Sequence, residues 1–273
     1  MSERVFTRRG AISGVAAGLG VAAAAASGAV VTQARAQSAP RTFVLIHGAW
    51  CGGWVWRRVS DLLESKGHKV FSPTLTGLGE RSHLLNKDIN LDTHVTDIVN
   101  VMKWENPDNV CLVAWSYGGF PCSGALEKIG GNVSSIVWLD AYKPSDGQKA
   151  SDLTSEAGRK MVAASFEKGD AGFGPPKLGP VFVNEKDSAW ANSKVTAQPT
   201  GTYLQPIKLS DALEKVSKKT YVRARKFPNP NLDKALAECK SDTSWRTVEN
   251  TTSGHVVMVD EPEWLVGVLL EAS

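Results

Sequence analysis

Among the side chains of this sequence, Ser116 is placed best for covalent chemistry. It stands in Ala114-Trp115-Ser116-Tyr117-Gly118-Gly119, directly after the apolar run Val110 to Val113 and just before a helical pattern beginning near Pro121. A strand, a sharp turn carrying Ser and a helix N-terminus together make a nucleophile elbow. The turn lifts the hydroxyl clear of the sheet, where a neighbouring His takes its proton and the oxygen attacks an acyl carbon. Such a turn needs small residues two before and two after the Ser, and Ala114 and Gly118 meet that need. The competing role for Ser116 is an N-terminal cap of the following helix. A second motif, Ile46-His47-Gly48-Ala49-Trp50, closes an earlier strand. Beside an elbow, the loop after that strand donates one backbone N–H to the oxyanion, and the residue after the Ser donates the other. Ala49 and Tyr117 are therefore the expected donors. His47, at a strand end beside Gly48, is read as a structural histidine that shapes the loop.

The elements that must hold these residues follow an α/β rhythm. From Arg41 onward, short β-branched runs alternate with helix-length segments, the pattern of βαβ units around a mostly parallel sheet flanked by helices. Strands are expected at 42–46, 69–73, 110–115, 135–140, 220–224 and 245–248. A helix bearing Trp56, Val59, Leu62 and Leu63 ends at Gly67, and a closing helix from about Pro262 carries Trp264, Leu265, Val268 and Leu269. Between 145 and 210 the rhythm breaks into a Gly/Pro-rich stretch too long for a plain loop, expected to be a cap inserted over the C-terminal edge of the sheet.

Composition bounds the function. The chain has 273 residues, 42% hydrophobic and 22% charged, with 31 Lys and Arg against 28 Asp and Glu, an ordinary globular make-up without the basicity that tracks a nucleic acid. Residues 1–36 differ from the rest. Arg4, Arg8 and Arg9 precede 25 uncharged residues from Gly10 to Ala34, and Ala34-Arg35-Ala36 follows. This is the layout of a secretory signal peptide, and Thr7-Arg8-Arg9 resembles a twin-arginine signal. The alternatives are an uncleaved membrane anchor and a disordered tail. Removal of the signal takes away four Arg and one Glu and leaves 27 basic and 27 acidic residues. The expected mature protein is a formally neutral chain, exported by the twin-arginine machinery to a bacterial periplasm or beyond, without stable membrane insertion. Four cysteines at unrelated spacings suggest no disulfide framework, and no metal site is expected because no Cys or His pairs fall at ligand spacing. No dinucleotide fingerprint or phosphate-binding loop appears, so no cofactor is expected.

Four segments together resemble the α/β-hydrolase superfamily. They are Phe43 to Trp54, Pro73-Thr74-Leu75-Thr76-Gly77-Leu78-Gly79-Glu80-Arg81, the Ser116 elbow, and Ser253-Gly254-His255, and they occur in the family's order. The branch they are most similar to holds plant methyl esterases, hydroxynitrile lyases and bacterial esterases. The resemblance implies that His255, after the last strand and before the closing helix, is the general base. It also implies an acid, and here the chain departs from the branch. Plant members carry an Asp after the strand corresponding to 220–224, whereas this loop reads Arg225-Lys226-Phe227-Pro228-Asn229-Pro230. Asp140, which ends the preceding strand, is preferred over Asp233 and Asp260. Its competing role is a helix cap or a loop salt bridge. Hydroxynitrile lyases of the branch carry Thr where this chain has Gly48, and Lys where it has Val256, so no ammonium is present to stabilise cyanide. The expected activity is hydrolysis of small to medium apolar carboxylic esters through an acyl-enzyme, with Trp50 and Tyr117 facing the small-molecule ester. A lyase-like or other non-hydrolytic enzyme and an inactive binding relative are the alternatives.

Overall fold

A computed structural model describes residues 39–175 and 181–273; the expected export signal lies outside them. The elements in chain order are β1 (Thr42–Ile46), α1 (Arg57–Ser65), β2 (Lys69–Phe71), α2 (Leu91–Glu105), β3 (Val110–Trp115), α3 (Gly119–Ile129) and β4 (Val133–Leu139). There follow α4 (Glu156–Lys168), β5 (Gly172–Phe173), α5 (Glu185–Asn192), β6 (Gln198–Pro199), α6 (Gly201–Leu204), β7 (Lys218–Ala224), α7 (Pro230–Ser241), β8 (Trp245–Asn250), α8 (Val257–Asp260) and α9 (Pro262–Ala272).

The central runs β1, β3 and β4 are apolar or buried on both faces, whereas β2 and β8 at the edges are more polar. Among the described residues these strands and β7 form one six-stranded sheet in the order β2-β1-β3-β4-β7-β8, with every neighbouring pair parallel. Alternate side chains feed two separate cores. Val44, Ile46, Leu112, Ala114, Ile136, Trp138 and Tyr221 face one core, where α2, α3 and α7 contribute Val95, Ile98, Phe120, Leu126 and Leu236. Phe43, Leu45, Cys111, Val113, Val137, Leu139 and Val222 face the other, against Val59 and Leu63 of α1 and Leu265 and Leu269 of α9. α1 stops as its pattern predicts, with Gly67 at φ +85° just beyond it. α2 and α7 were not anticipated from the sequence. Asn side chains start both, Asn90 accepting from the Thr93 N–H and Asn229 from the Asn231 and Leu232 N–H groups.

The residues between β4 and β7 form local pieces, namely α4, α5, α6 and the two-residue pair of β5 with β6. Gln198 of β6 is fully buried and reaches back to the loop after β1. All four cysteines are free and buried. Among the described residues no helix is long and apolar enough to cross a membrane.

Candidate active site

Sheet order decides what meets at the C-terminal edge. β3 lies between β1 and β4, so the loop after β1, the turn after β3 and the end of β4 open side by side. Ser116 begins the turn after β3 at φ +55°, and Asp140 follows β4 at φ +45°. A non-glycine residue held in the left-handed region costs roughly 1 to 2 kcal/mol, so surrounding contacts must hold each one there. Those contacts are visible. The Tyr142 N–H donates to Ser116 O at 3.1 Å, and the Asp140 N–H to Val222 O at 2.6 Å. Gly118 lies so near β1 that a Cβ there would sit 2.9 Å from His47 O and 3.0 Å from Ile46 O, which is why the elbow needs a small residue two past the Ser.

His255 arrives from the far edge, in the loop between β8 and α8. Asn250 Oδ1 accepts from the Thr252 and Ser253 N–H groups, and Asp260 Oδ2 accepts from the Gly254 N–H at 2.9 Å, folding this loop over the sheet. The Trp115 indole N–H donates to His255 O at 2.9 Å. The imidazole is stacked on Phe227 with ring centroids 4.4 Å apart, and lies 5.2 Å from the Trp115 ring.

These elements bring the predicted residues into contact. His255 Nδ1 lies 2.6 Å from Asp140 Oδ2, and Nε2 lies 2.9 Å from Ser116 Oγ. A carboxylate only accepts, so Nδ1 carries the proton and Nε2 is left to receive one from the serine hydroxyl. Asp140 is fully buried, and its Oδ1 accepts from the Ala224 N–H at 3.0 Å and from Arg223 Nη1 at 2.8 Å. The other two acids stand elsewhere. Asp233 Oδ1 bonds Arg223 and Arg225, and Asp260 is occupied with the Gly254 N–H and the Val183 N–H. Burial raises the Asp260 carboxyl above its ordinary range, opposed by its backbone hydrogen bonds.

The loop after β1 is equally constrained. The Trp50 N–H donates to Gln198 Oε1 at 3.0 Å, Thr196 N–H donates to Trp50 O, and Trp50 itself is at φ +61°. The Trp50 N–H is thereby engaged, and Ala49 precedes it. A Cβ on Gly48 would come within 2.9 Å of both Ser116 Cβ and the Trp115 ring, so a larger residue there would push on Ser116. Val256 is buried in the second core and also lies on the lining of the cavity over Ser116. His47 is fully buried; its Nδ1–H donates to Gly48 O at 2.8 Å, and its Nε2 accepts from the Leu75 N–H at 3.0 Å. Burial lowers its pKa to about 4. It ties two loops together, as the sequence implied.

A cavity of about 600 Å³ opens over Ser116 and His255. Its walls are mostly neutral and aromatic, including Trp50, Tyr142, Tyr203, Phe182 and Phe227, with Arg159 and Glu156 also on the lining. Trp50, an expected pocket residue, is on this lining. The side chain of Tyr117 is not: it is fully buried away from the cavity, where its hydroxyl donates to His94 Nδ1 at 3.0 Å and its ring stacks on Tyr203 and Phe120. Only its main chain faces the elbow, because a strand-to-helix turn that raises the Ser sends the next side chain into the core. Tyr142, Tyr203 and Arg223 were missed, since each depends on contacts tens of residues away in sequence.

Comparison with known proteins gives a uniform picture. Residues 43–268 match the model of the alpha/beta hydrolase family. A carbendazim hydrolyzing esterase of a Nocardioides species is 33% identical over 234 residues, covering 82% of this chain and 96% of that protein. Salicylic acid-binding protein 2 of Nicotiana tabacum is 25% identical, over 84% of this chain and 95% of its own. Among solved structures, an extracellular alpha/beta-hydrolase from a Paenibacillus species aligns with a TM-score of 0.73 at 20% identity, over 86% of this chain and 99% of its own, a likeness of fold.

Proposed function

The chain belongs to the alpha/beta hydrolase family, and from that premise we propose that it is a serine hydrolase cleaving small to medium apolar carboxylic esters through an acyl-enzyme. Ser116 is the nucleophile, His255 the general base and Asp140 the acid that orients it. Ser116 Oγ attacks the ester carbonyl as His255 Nε2 takes its proton. The Ala49 and Tyr117 N–H groups stabilise the oxyanion. On collapse the alcohol leaves with the proton held by His255, and water repeats the cycle on the acyl-serine. Asp140 keeps the imidazole in the tautomer with Nδ1 protonated and stabilises the imidazolium as it forms.

The observation that carries this reading is the unbroken relay of 2.9 Å from Ser116 Oγ to His255 and 2.6 Å from His255 to Asp140, under a cavity with apolar walls. The printed names of the relatives, esterases among them, support the same reaction class. The segment 145–210 is read as the cap of that cavity, and residues 1–36 as an export signal whose loss leaves a neutral enzyme working outside the cytoplasm. A panel of p-nitrophenyl esters varied separately in acyl and alcohol size, run beside a fluorophosphonate probe, tests the proposal. Turnover that falls with added charge on the ester, and labelling confined to Ser116, are the expected results. An unlabelled, inactive mature protein would overturn it in favour of a binding relative.

A further inference from the structure

The wall behind His255 holds a cation that the reaction as written does not use. Arg223, at the end of β7, has a side chain 1% exposed and donates from all three of its side-chain nitrogens. Its Nη1 bonds Asp140 Oδ1 at 2.8 Å and also the Ala224 carbonyl, Nη2 bonds Phe227 O at 2.7 Å, and Nε bonds Asp233 Oδ1 at 3.0 Å. Asp140 and Phe227 are the two residues that fix the His255 ring, one by the Nδ1 hydrogen bond and one by stacking on its face. One rigid, always-charged fork thus holds both supports of the imidazole.

We infer that Arg223 is the positioning residue of this site, a buried cation that holds the acid and the Phe227 loop on His255 and balances the charge that Asp140 turns toward the imidazole. The inference rests on the reading of Ser116, His255 and Asp140 given above. The electrostatic half follows from placement. Asp140 turns one oxygen to the imidazole and the other to the guanidinium, so the imidazole faces a carboxylate whose charge is largely balanced. The other titratable groups around the pair are the hydroxyls of Tyr142 and Tyr221, which feel Asp140, and Asp260 at the base of the His255 loop. Asp233, Arg225 and Glu249 face Arg223 from the solvent side, where Asp233 is 45% exposed and screened. Arg223 is the cation hydrogen-bonded to Asp140, and its removal leaves the carboxylate's full charge on His255.

The test is the pH profile of kcat/KM for an uncharged p-nitrophenyl ester with the full mature chain. In the wild type the acid limb reports protonation of the His255–Asp140 pair. In Arg223→Met that limb moves to higher pH by about one unit, the scale expected for a unit charge lost a few ångströms away, and kcat falls more than KM rises. Arg223→Lys keeps the charge, so its limb stays near the wild-type position while its kcat still drops through the lost fork. Asp233→Asn removes a negative charge beside the guanidinium and moves the limb slightly to lower pH. If Arg223→Met does not fold, Arg223→Gln carries the same expectation. A limb that stays in place in the folded neutral variant, with activity merely reduced, overturns the inference and leaves Arg223 a structural residue. A wild type that neither turns over ester nor reacts with fluorophosphonate instead overturns the reading of the site itself.

Discussion

The two sides of His255 are built on opposite principles. Behind the ring, Asp140 and Arg223 are buried charges with their polar atoms engaged, and the network passes through Asp233 to Arg225 at the surface. In front of it, the cavity is walled mostly by neutral side chains, several of them aromatic. Buried charge is tolerated only where it is paired and hydrogen-bonded, and the rear wall satisfies that condition. The front must accept different esters and release them, so it offers shape and apolar area with few fixed polar partners. Under the proposed function the rear would carry the chemistry and the front the recognition, which predicts that substitutions behind the ring act on kcat and substitutions before it act on KM.

The hardest test of that contrast is at the centre. Ser116→Ala is expected to lower kcat/KM by about 10⁴-fold or more and abolish fluorophosphonate labelling; retained labelling would place the nucleophile elsewhere. On the rear wall, Asp140→Asn leaves the geometry largely intact but permits the wrong imidazole tautomer, for an expected loss of about 10³- to 10⁴-fold in kcat. Asp233→Asn and Asp260→Asn should each cost less than about tenfold, because neither touches the imidazole. A large loss in either, with Asp140→Asn active, would reassign the acid.

Stability gives a second contrast, between the cavity and two histidines buried entirely in the core, His47 and His94. Burial lowers His47 and His94 from 6.5 to about 4, against the opposing hydrogen bonds to Gly48 and Thr76. A base whose folded pKa is depressed binds its proton more readily when unfolded, so its stabilising effect is complete above pH 6.5 and is lost as pH falls toward 4. Each is expected to contribute roughly 3 kcal/mol over that window, about 10²-fold in the folding equilibrium. Urea melts between pH 7 and pH 4 measure it, and His94→Gln should flatten the curve; an unchanged slope would show that His94 is not the cause.

The smaller effects separate front from rear most finely. Gln198→Ala frees the Trp50 N–H and loosens the loop that carries Ala49, so kcat should fall about 10- to 10²-fold with KM nearly constant, less than the loss of an oxyanion donor itself. Trp50→Ala should raise KM for an aromatic ester about tenfold and change kcat little, a Michaelis analysis that would contradict the contrast if the two parameters exchanged roles.

Much of this arrangement was legible in the sequence because it is local. The elbow from Ala114 to Gly119 and the turn from His47 to Trp50 depend on neighbours a few residues apart, and the central strands are runs apolar on both faces, so residue type identifies them. Two further features are local as well: His47 bonds its own neighbour's carbonyl, and Gly67 lies just past the end of its helix. The side chain of Tyr117 was misplaced because an elbow's backbone direction cannot be read from a string. Arg223 was overlooked because a basic residue in a strand normally reads as a solvated face.

What the sequence determined by itself was the parallel sheet, the Ser116 turn and the place of His255 late in the chain, since those follow from periodicity, turn chemistry and order. Which carboxylate serves His255 was left to tertiary structure. Asp140, Asp233 and Asp260 are equally good acids as residues, and only the β3-β4-β7 strand order brings Asp140 within 2.6 Å of the imidazole while giving the other two to arginines and to backbone N–H groups. The physical reason is that a buried carboxylate persists only where donors surround it, and the Ala224 N–H and the Arg223 guanidinium converge on Asp140 from a strand more than eighty residues away.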